Sequence, residues 1–390
     1  MSGICTRGWH VTLSSLEDPA ALEANWVALQ SRAVCSFFQS WGWVGSWIET
    51  LPRQLRPHVF EVRLDGGLVG LALLGHRRTW RYGIIPSHGL FLSETGDRQI
   101  DCLTVEHNGF LVDNALSLAV VREAVSGLAK LRAPWDELFL SGVLRTAVPD
   151  YVESARGANL RPQVTMEKPY HFVDCDMIRE KSSDYLSALG RNTRSQVRRA
   201  LRAYEERGPL SFRVADTVER ARGVFEKLFE LHQRYWVSKG YPGAFGSQFA
   251  LDFHRNIIRR RFSEGNIQLA EISAGTQTIG YLYNFVFNRV VYNYQSGFLY
   301  EDDARLKPGF VSHYMAVQHS IEAGMKTYDL LMGNQRFKEN LATDRGEMAW
   351  MVLQKPRIRF GLERTALRLR RRALSWRTSR SPALTTTAQD

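Results

Sequence analysis

The residues from Arg305 to Ser312 set a basic pair ahead of a Pro-Gly step, which leads into a run that reads as a helix. A helix entrance carries unpaired N–H groups and partial positive charge, which attract anions. Arg305 and Lys307 stand just before Pro308 and Gly309, and the N–H groups of Phe310, Val311 and Ser312 are expected to be free at the helix start. Gly309 lets a phosphate approach the backbone closely. The chemistry suggested is a grip on a pyrophosphate; the plain alternative is an ordinary Pro-Gly turn. It is not a P-loop, because GxxxxGK[ST] is absent.

Three other constellations can carry chemistry. In "LGRNTRSQVRRALRAYEERG", helical spacing puts Arg191, Arg194, Arg198 and Arg202 on one face. That face reads either as solvated surface or as a recognition surface for a polyanion: a phosphate-rich cofactor tail, tRNA or an anionic lipid head group. In "LFELHQRYWVSKGYPGAF", His232 and Trp236 stand four apart on a helix ahead of a turn carrying Tyr241. A lone His is more often structural than catalytic, but the aromatic turn suits a substrate groove. In "YDLLMGNQRFKENL", Asp329 opens a strand and Lys338 lies just past the following loop. The two can position an amine or alcohol nucleophile, or simply bridge strand and loop.

The elements that must position these groups follow from periodicity. Residues 58–78 alternate, turn at Asp65, Gly66 and Gly67, and alternate again, as a β-hairpin does. Helical spacing over 114–131 leads into a strand over 135–142. The second half repeats the order: a hairpin over 266–289, a strand over 290–300, a helix over 310–324 and a strand over 327–333. Both hairpins return through Gly (Gly70, Gly280). Both helices are approached by Gly-Phe (Gly109-Phe110, Gly309-Phe310), and both final strands are headed by an aromatic and Asp (Trp135-Asp136, Tyr328-Asp329). This is an α/β chain with a tandem duplication of one unit. The expected division is an N-terminal unit over 1–175, a C-terminal unit over 176–356 with a basic helical entry, and a basic tail over 357–390. The first unit's "EHNGFLVDN" has no Lys or Arg beside its Gly, so ligand binding is expected in the second unit.

Composition narrows the function classes. The chain has 390 residues, 44% of them hydrophobic, enough for a sizeable core. Its four cysteines are scattered, which argues against a zinc site or disulfide framework. No run approaches the roughly 20 apolar residues of a membrane span, and the N-terminus lacks the apolar core of a signal peptide. A cytoplasmic location is expected, with the inner face of the membrane as a peripheral option. Of the net charge of +11, nine Arg against one Glu lie between Arg357 and Arg380. That tail can lie on an anionic membrane, with Phe360, Leu367 and Leu374 in the apolar layer, or extend as a disordered basic segment. GxSxG, HExxH, GxGxxG and HxE…CxxC are absent, so hydrolase, zincin, dinucleotide and zinc-deaminase readings lack support.

Taken in order along residues 30–355, "FFQSWGWVGSW", "GRNTRSQVRRALRAYE", "HQRYWVSKGYPGAF", "IQLAEISAGTQTIGYLYNF" and "RLKPGFVSHYMAVQHSIEAGMKTYDLLMGNQRFKENL" resemble the FemAB-like branch of the GNAT acyltransferase superfamily. In particular the chain is similar to acetyltransferases associated with cellulose and exopolysaccharide biosynthesis. The resemblance implies two GNAT-like units, each a mixed twisted sheet flanked by helices, with acyl-CoA (acetyl-CoA) as donor, no metal, and a small-molecule or saccharide acceptor. It implies a donor gap between a fourth strand over 290–299 and a fifth over 327–332, with its mouth at 305–312.

Backbone N–H groups near Gln295 and Gly297 become candidates for stabilising the oxyanion, and Asp329, Lys338, Tyr294 and Tyr328 for proton transfer. Two features depart from the family pattern: the loop has altered spacing with one Gly, and Phe337 stands where relatives often carry Tyr. Two alternatives remain beside acyl-CoA-dependent transfer. One is aminoacyl transfer from charged tRNA, and the other is a non-catalytic scaffold for a polysaccharide synthase.

Overall fold

The computed structural model describes residues 2–6, 8–181, 184–333 and 335–378. The first half contains β1 (Ser2–Thr6), β2 (Trp9–Ser15), α1 (Pro19–Gln30), α2 (Trp41–Thr50), β3 (His58–Leu64), β4 (Gly67–Arg81), β5 (Ile85–Leu92), β6 (Leu111–Val112), α3 (Ser117–Lys130), β7 (Glu137–Leu144), α4 (Val148–Gly157) and β8 (Arg161–Asp174). The second contains α5 (Cys175–Glu180), α6 (Tyr185–Ala188), α7 (Arg191–Glu205), β9 (Leu210–Val214), α8 (Val218–Ser238), α9 (Gln248–Arg261), β10 (Ile267–Ala274), β11 (Gln277–Phe287), β12 (Val290–Phe298), α10 (Pro308–Glu322), β13 (Thr327–Met332), α11 (Arg336–Leu341), β14 (Asp344–Gln354) and α12 (Ile358–Thr378).

The duplication is visible in the pairing. In each unit three antiparallel strands, β3-β4-β5 and β10-β11-β12, are followed through a helix by a parallel strand, β7 or β13. The first hairpin turns on Asp65 (φ 47°) and Gly66 (φ 85°). Positive φ at both central residues matches the right-handed twist of the strands they join. The last strand of each unit is inserted into the other: β14 lies between β7 and β8, and β8 lies between β14 and β13. One fourteen-stranded sheet therefore runs through both units, which together form a duplicated α/β fold, a large mixed sheet flanked by helices.

The aromatic run of α2 and its approach packs between the units. Phe37 stacks on Phe285 at 4.3 Å and Trp43 meets Phe253 edge-on at 4.8 Å. These rings are buried, so they weld the first unit's helix to the second unit's sheet. Separate cores lie under α3 and α4, and under α5, α7 and α10.

In both units the parallel pair separates after three residues. β5 and β7 pair over Gly89–Phe91 and Glu137–Phe139; β12 and β13 pair over Val290–Tyr292 and Thr327–Asp329. The first gap is filled by the chain itself. Asn108, 5% exposed, donates through Nδ2 to the carbonyls of Leu92 (3.2 Å) and Ser141 (3.1 Å), and through its backbone N–H to Gly142.

Two sequence expectations are corrected. Gly109-Phe110 does not correspond to Gly309-Phe310. The former precedes β6, well ahead of α3, whereas the latter lies inside the first turn of α10. The basic segment after residue 357 is neither an extension nor a free apolar layer at its start. It forms α12, and Phe360 is buried under Arg81. Arg357 and Arg359 bind Asp136, and Glu363 binds Arg81. Leu367 is half-buried, and the side chain of Leu374 lies outside the described residues.

Asn108→Ala leaves two enclosed carbonyls without a donor. It is expected to lower stability by about 1–3 kcal/mol, read as a lower urea midpoint with an unchanged m-value.

Candidate active site

The second gap, between β12 and β13, stays open. The register of β12 against β11 shifts between Asn293 and Gln295, so Tyr294 is the extra residue of a bulge. A bulge bends its strand and re-aims its side chain. Opposite it, β13 loses its ladder to β8 between Asp329 and Met332, and Leu331 adopts φ 61°. A branched residue in this region is strained and must be held.

Four side chains hold it. Asp329 Oδ1 accepts from the Leu331 N–H at 2.7 Å, and Glu106 accepts from the Met332 N–H at 2.7 Å. Lys338 Nζ donates to the Met332 carbonyl at 2.7 Å. A Cβ on Gly333 would lie 2.0 Å from Gln335 Oε1 and 3.3 Å from that ammonium, so the turn leaves no room for a side chain here. His107 Nε2 stands 2.9 Å from Asp329 Oδ2, with its ring edge-on to Tyr170 at 4.6 Å. Glu106 and His107 come from the segment that plugs the first unit's gap, so this cluster joins the two units.

Burial of Glu106 pushes its carboxyl up to about 7, against the pull of the Met332 N–H and Lys338. Burial also lowers the Lys338 ammonium, which Glu106 and Asp329 partly restore. For His107, burial acts downward, but the Asp329 and Glu106 carboxylates together outweigh it and the imidazole is raised. The site therefore holds a carboxyl that changes protonation near neutrality beside an enclosed amine.

A cavity of about 630 Å³ opens over this cluster. Glu106, Tyr294, Gln295, Lys338 and Phe337 form its floor side, with Trp236, Tyr241, Tyr235, Tyr300 and Phe298 as an aromatic wall. His232 positions that wall. The Ala244 N–H donates to its Nε2 at 3.1 Å, so Nδ1 carries the proton and donates to the Ser296 carbonyl at 3.1 Å. Burial lowers its pKa. His232 thus ties α8, β12 and the 241–246 turn together as a neutral ring.

The structure brings Asp329, Lys338, Tyr294, Gln295, Trp236 and Tyr241 to one place. Tyr294 accepts from the Thr104 N–H at 3.3 Å, and burial pushes its phenol up. Tyr328 is not in the cavity; it is fully buried, and its hydroxyl pairs with His313 at 3.0 Å. Phe337 stacks on that same His313 ring. Gly297 has a packing reason: a Cβ there would lie 2.6 Å from the Leu228 carbonyl of α8.

The helix mouth is narrower than expected. Val311 already donates to the Lys307 carbonyl at 3.2 Å, and Val311 and Ser312 point into the core. That leaves Gly309 and Phe310 as N–H donors at the entrance. Arg305 pairs with Asp303 at 2.8 Å, and Lys307 reaches Gln196 and the Phe310 ring. Arg194 and Arg198 lie elsewhere, with Arg191, Arg199, Arg202 and Arg305 around a second concavity of about 600 Å³.

Sequence reading missed Glu106 and His107. Their loop matches the other unit's cradle only in its Gly-Phe, and the adjacent acid and His in it are the available signal.

Residues 191–339 match the family model described as an acetyltransferase (GNAT) domain. The fold is similar to that of FemX, with TM-score 0.56 and 14% identity, over 86% of this chain and 96% of that one. It is also similar to L-PGS from Bacillus licheniformis, with TM-score 0.52 and 10% identity, over 90% and 96%. A conserved protein of unknown function from Bacteroides thetaiotaomicron gives 0.50 and 9%, over 88% and 100%. At such identities the likeness concerns the fold. No curated protein matches the sequence. Among the described residues there is no group of three or more His, Cys, Asp or Glu able to hold a metal.

In carboxyl-directed NMR, Glu106 is expected to titrate near 7, and Lys338→Met to move that titration upward by removing the nearby positive charge. A Glu106 resonance titrating at an ordinary carboxylate value would show the carboxyl to be solvated.

Proposed function

We propose that the chain is a GNAT-type acyltransferase moving an acyl group, such as acetyl, from acyl-CoA to an amine or hydroxyl of a small-molecule or sugar acceptor. The observation that carries this reading is the separation of β12 from β13 directly over Glu106 and Lys338. The match of residues 191–339 to an acetyltransferase family model supports it. The first unit offers no equivalent entry, because Asn108 closes its gap.

In this mechanism the thioester lies along the unpaired edge of β12, where backbone N–H groups near Gln295 face the developing oxyanion. The acceptor sits against the aromatic wall; the flat faces of Trp236 and Tyr241 suit a sugar ring. Its nitrogen or oxygen attacks the carbonyl carbon and passes a proton to Glu106 as the carbon–sulfur bond breaks. The thiolate leaves and takes up a proton. Lys338 keeps the Met332 carbonyl in place and its charge near the carboxylate. His107 and Asp329 hold the backbone that presents them.

Because the base form of Glu106 is the active one, kcat/KM should rise with pH through about 7. Glu106→Gln should abolish that limb and lower kcat by roughly 10²–10⁴-fold. Calorimetry with acetyl-CoA and coenzyme A tests the donor: a folded sample that binds neither refutes acyl-CoA use. Gly309→Asp should weaken CoA binding by adding negative charge at the helix mouth. Its Cβ also meets the Phe298 ring at 3.3 Å, so Gly309→Ala is the steric control.

The Arg-lined concavity favours a second reading, in which the donor is an aminoacyl-tRNA. Arg191, Arg194, Arg198, Arg199 and Arg202 line it on one helix, a density of charge suited to a phosphate backbone. Transfer that requires charged tRNA, falls steeply with salt and is lost in Arg194→Gln/Arg198→Gln would establish this reading over the first.

A further inference from the structure

The basic concavity of α7 adjoins the mouth of α10. Arg305, which lies just ahead of Gly309, lines the concavity together with Arg191, Arg194, Arg198, Arg199 and Arg202. Lys307, the residue before α10, reaches Gln196 of α7. On its other side the mouth meets the cavity over Glu106. Phe298 lines that cavity, and its ring would lie 3.3 Å from a Cβ on Gly309. Contacts therefore lead from the open gap, past Gly309, to the arginines of α7.

Those arginines are unmatched. None of the five on α7 makes a side-chain hydrogen bond or ion pair among the described residues, whereas Arg145, Arg207 and Arg255 each meet a carboxylate. Arg194, Arg198 and Arg202 follow one another at four-residue spacing, where like charges repel and an anion relieves the repulsion. Arg305 differs from them, because Asp303 holds it at 2.8 Å and Glu206 at 3.8 Å. Glu206 follows Arg199 by seven positions and Arg202 by four, which puts all three within roughly 60° around the helix. Arg199 and Arg202 are thus the free cations on the side of α7 that meets Arg305.

We infer that the α7 arginines, foremost Arg199 and Arg202, hold the 3′-phosphate of coenzyme A. The inference rests on the acyl-CoA reading above and says which part of that donor the concavity takes. Coenzyme A carries a pyrophosphate and, separately, a phosphate monoester on its ribose. The Gly309 and Phe310 N–H groups and Lys307 suit the pyrophosphate. The monoester brings roughly two further negative charges at neutral pH. With Arg305 engaged by Asp303, the cations left to meet it are those of α7, whose planar forks match phosphate oxygens. A nucleic acid backbone needs a basic track that continues. Here Glu206 and Asp303 stand at the Arg305 end of the concavity, and that boundary suits one compact anion.

Calorimetry of the full chain with coenzyme A and with 3′-dephospho-coenzyme A tests the assignment. Coenzyme A should bind at least about tenfold more tightly. Arg199→Gln/Arg202→Gln should bring coenzyme A down to the affinity of the dephospho form. It should leave the dephospho form's own affinity unchanged, which also shows that the variant is folded. Arg222→Gln/Arg259→Gln removes the same two charges from a groove formed by α8 and α9 and should change neither affinity. Equal binding of the two ligands by the unaltered chain overturns the inference and leaves the acyl-CoA reading standing; binding of neither overturns both. A preference for coenzyme A that survives in full in Arg199→Gln/Arg202→Gln, or is lost in Arg222→Gln/Arg259→Gln, overturns it too. So does retention of charged tRNA, rather than coenzyme A, by the α7 arginines.

Discussion

The arrangement depends on one short segment, Thr104 to Phe110, which is fixed by the first unit and used by the second. Asn108 anchors it by bonding carbonyls on both sides of the separated strands β5 and β7. With Asn108 seated, the preceding Glu106 and His107 emerge on the far side and reach β13. A gap closed in one copy thus supplies two polar residues to the gap left open in the other. The shared strands β8 and β14 keep the two units in the register this requires.

The charged cluster is interdependent because it is enclosed. Glu106 and Asp329 are each 3% exposed, and removing one partner from such a group leaves the others undercompensated. Their hydrogen bonds fall on Leu331 and Met332, where the backbone is strained and the β-ladder is interrupted. The same contacts therefore stabilise the break in the sheet and pull against the burial that raises the carboxyl facing the cavity. His232 plays the parallel part above, as a neutral bridge that holds the aromatic turn against β12.

Much of the fold was legible because its signals are local. Alternation with Asp65-Gly66 marks the first hairpin, and the apolar spacing after Pro308 marks α10. Asp329 and Lys338 were legible as a pair because only a short loop separates them. At the mouth of α10, Arg305 and Lys307 already have partners within the protein. Nothing in sequence shows that Asp303 and Gln196 take up those cations. Tyr328 neighbours Asp329 on a strand and therefore points to the opposite face, here into the core against His313.

The sequence by itself determined the two-unit α/β order, the basic face of α7 and the segment that would form the open gap. These follow from periodicity, turn residues and charge spacing, which act over a few residues. Tertiary structure alone decided that Glu106 and His107 belong to the second unit's site and that Phe360 is buried. It also decided that Arg81 of the first hairpin meets Glu363 of α12. Each depends on contacts between residues 200 or more positions apart, such as Glu106 with Met332 and Arg81 with Glu363. Such pairings are set by how the whole sheet closes, and no local pattern encodes them.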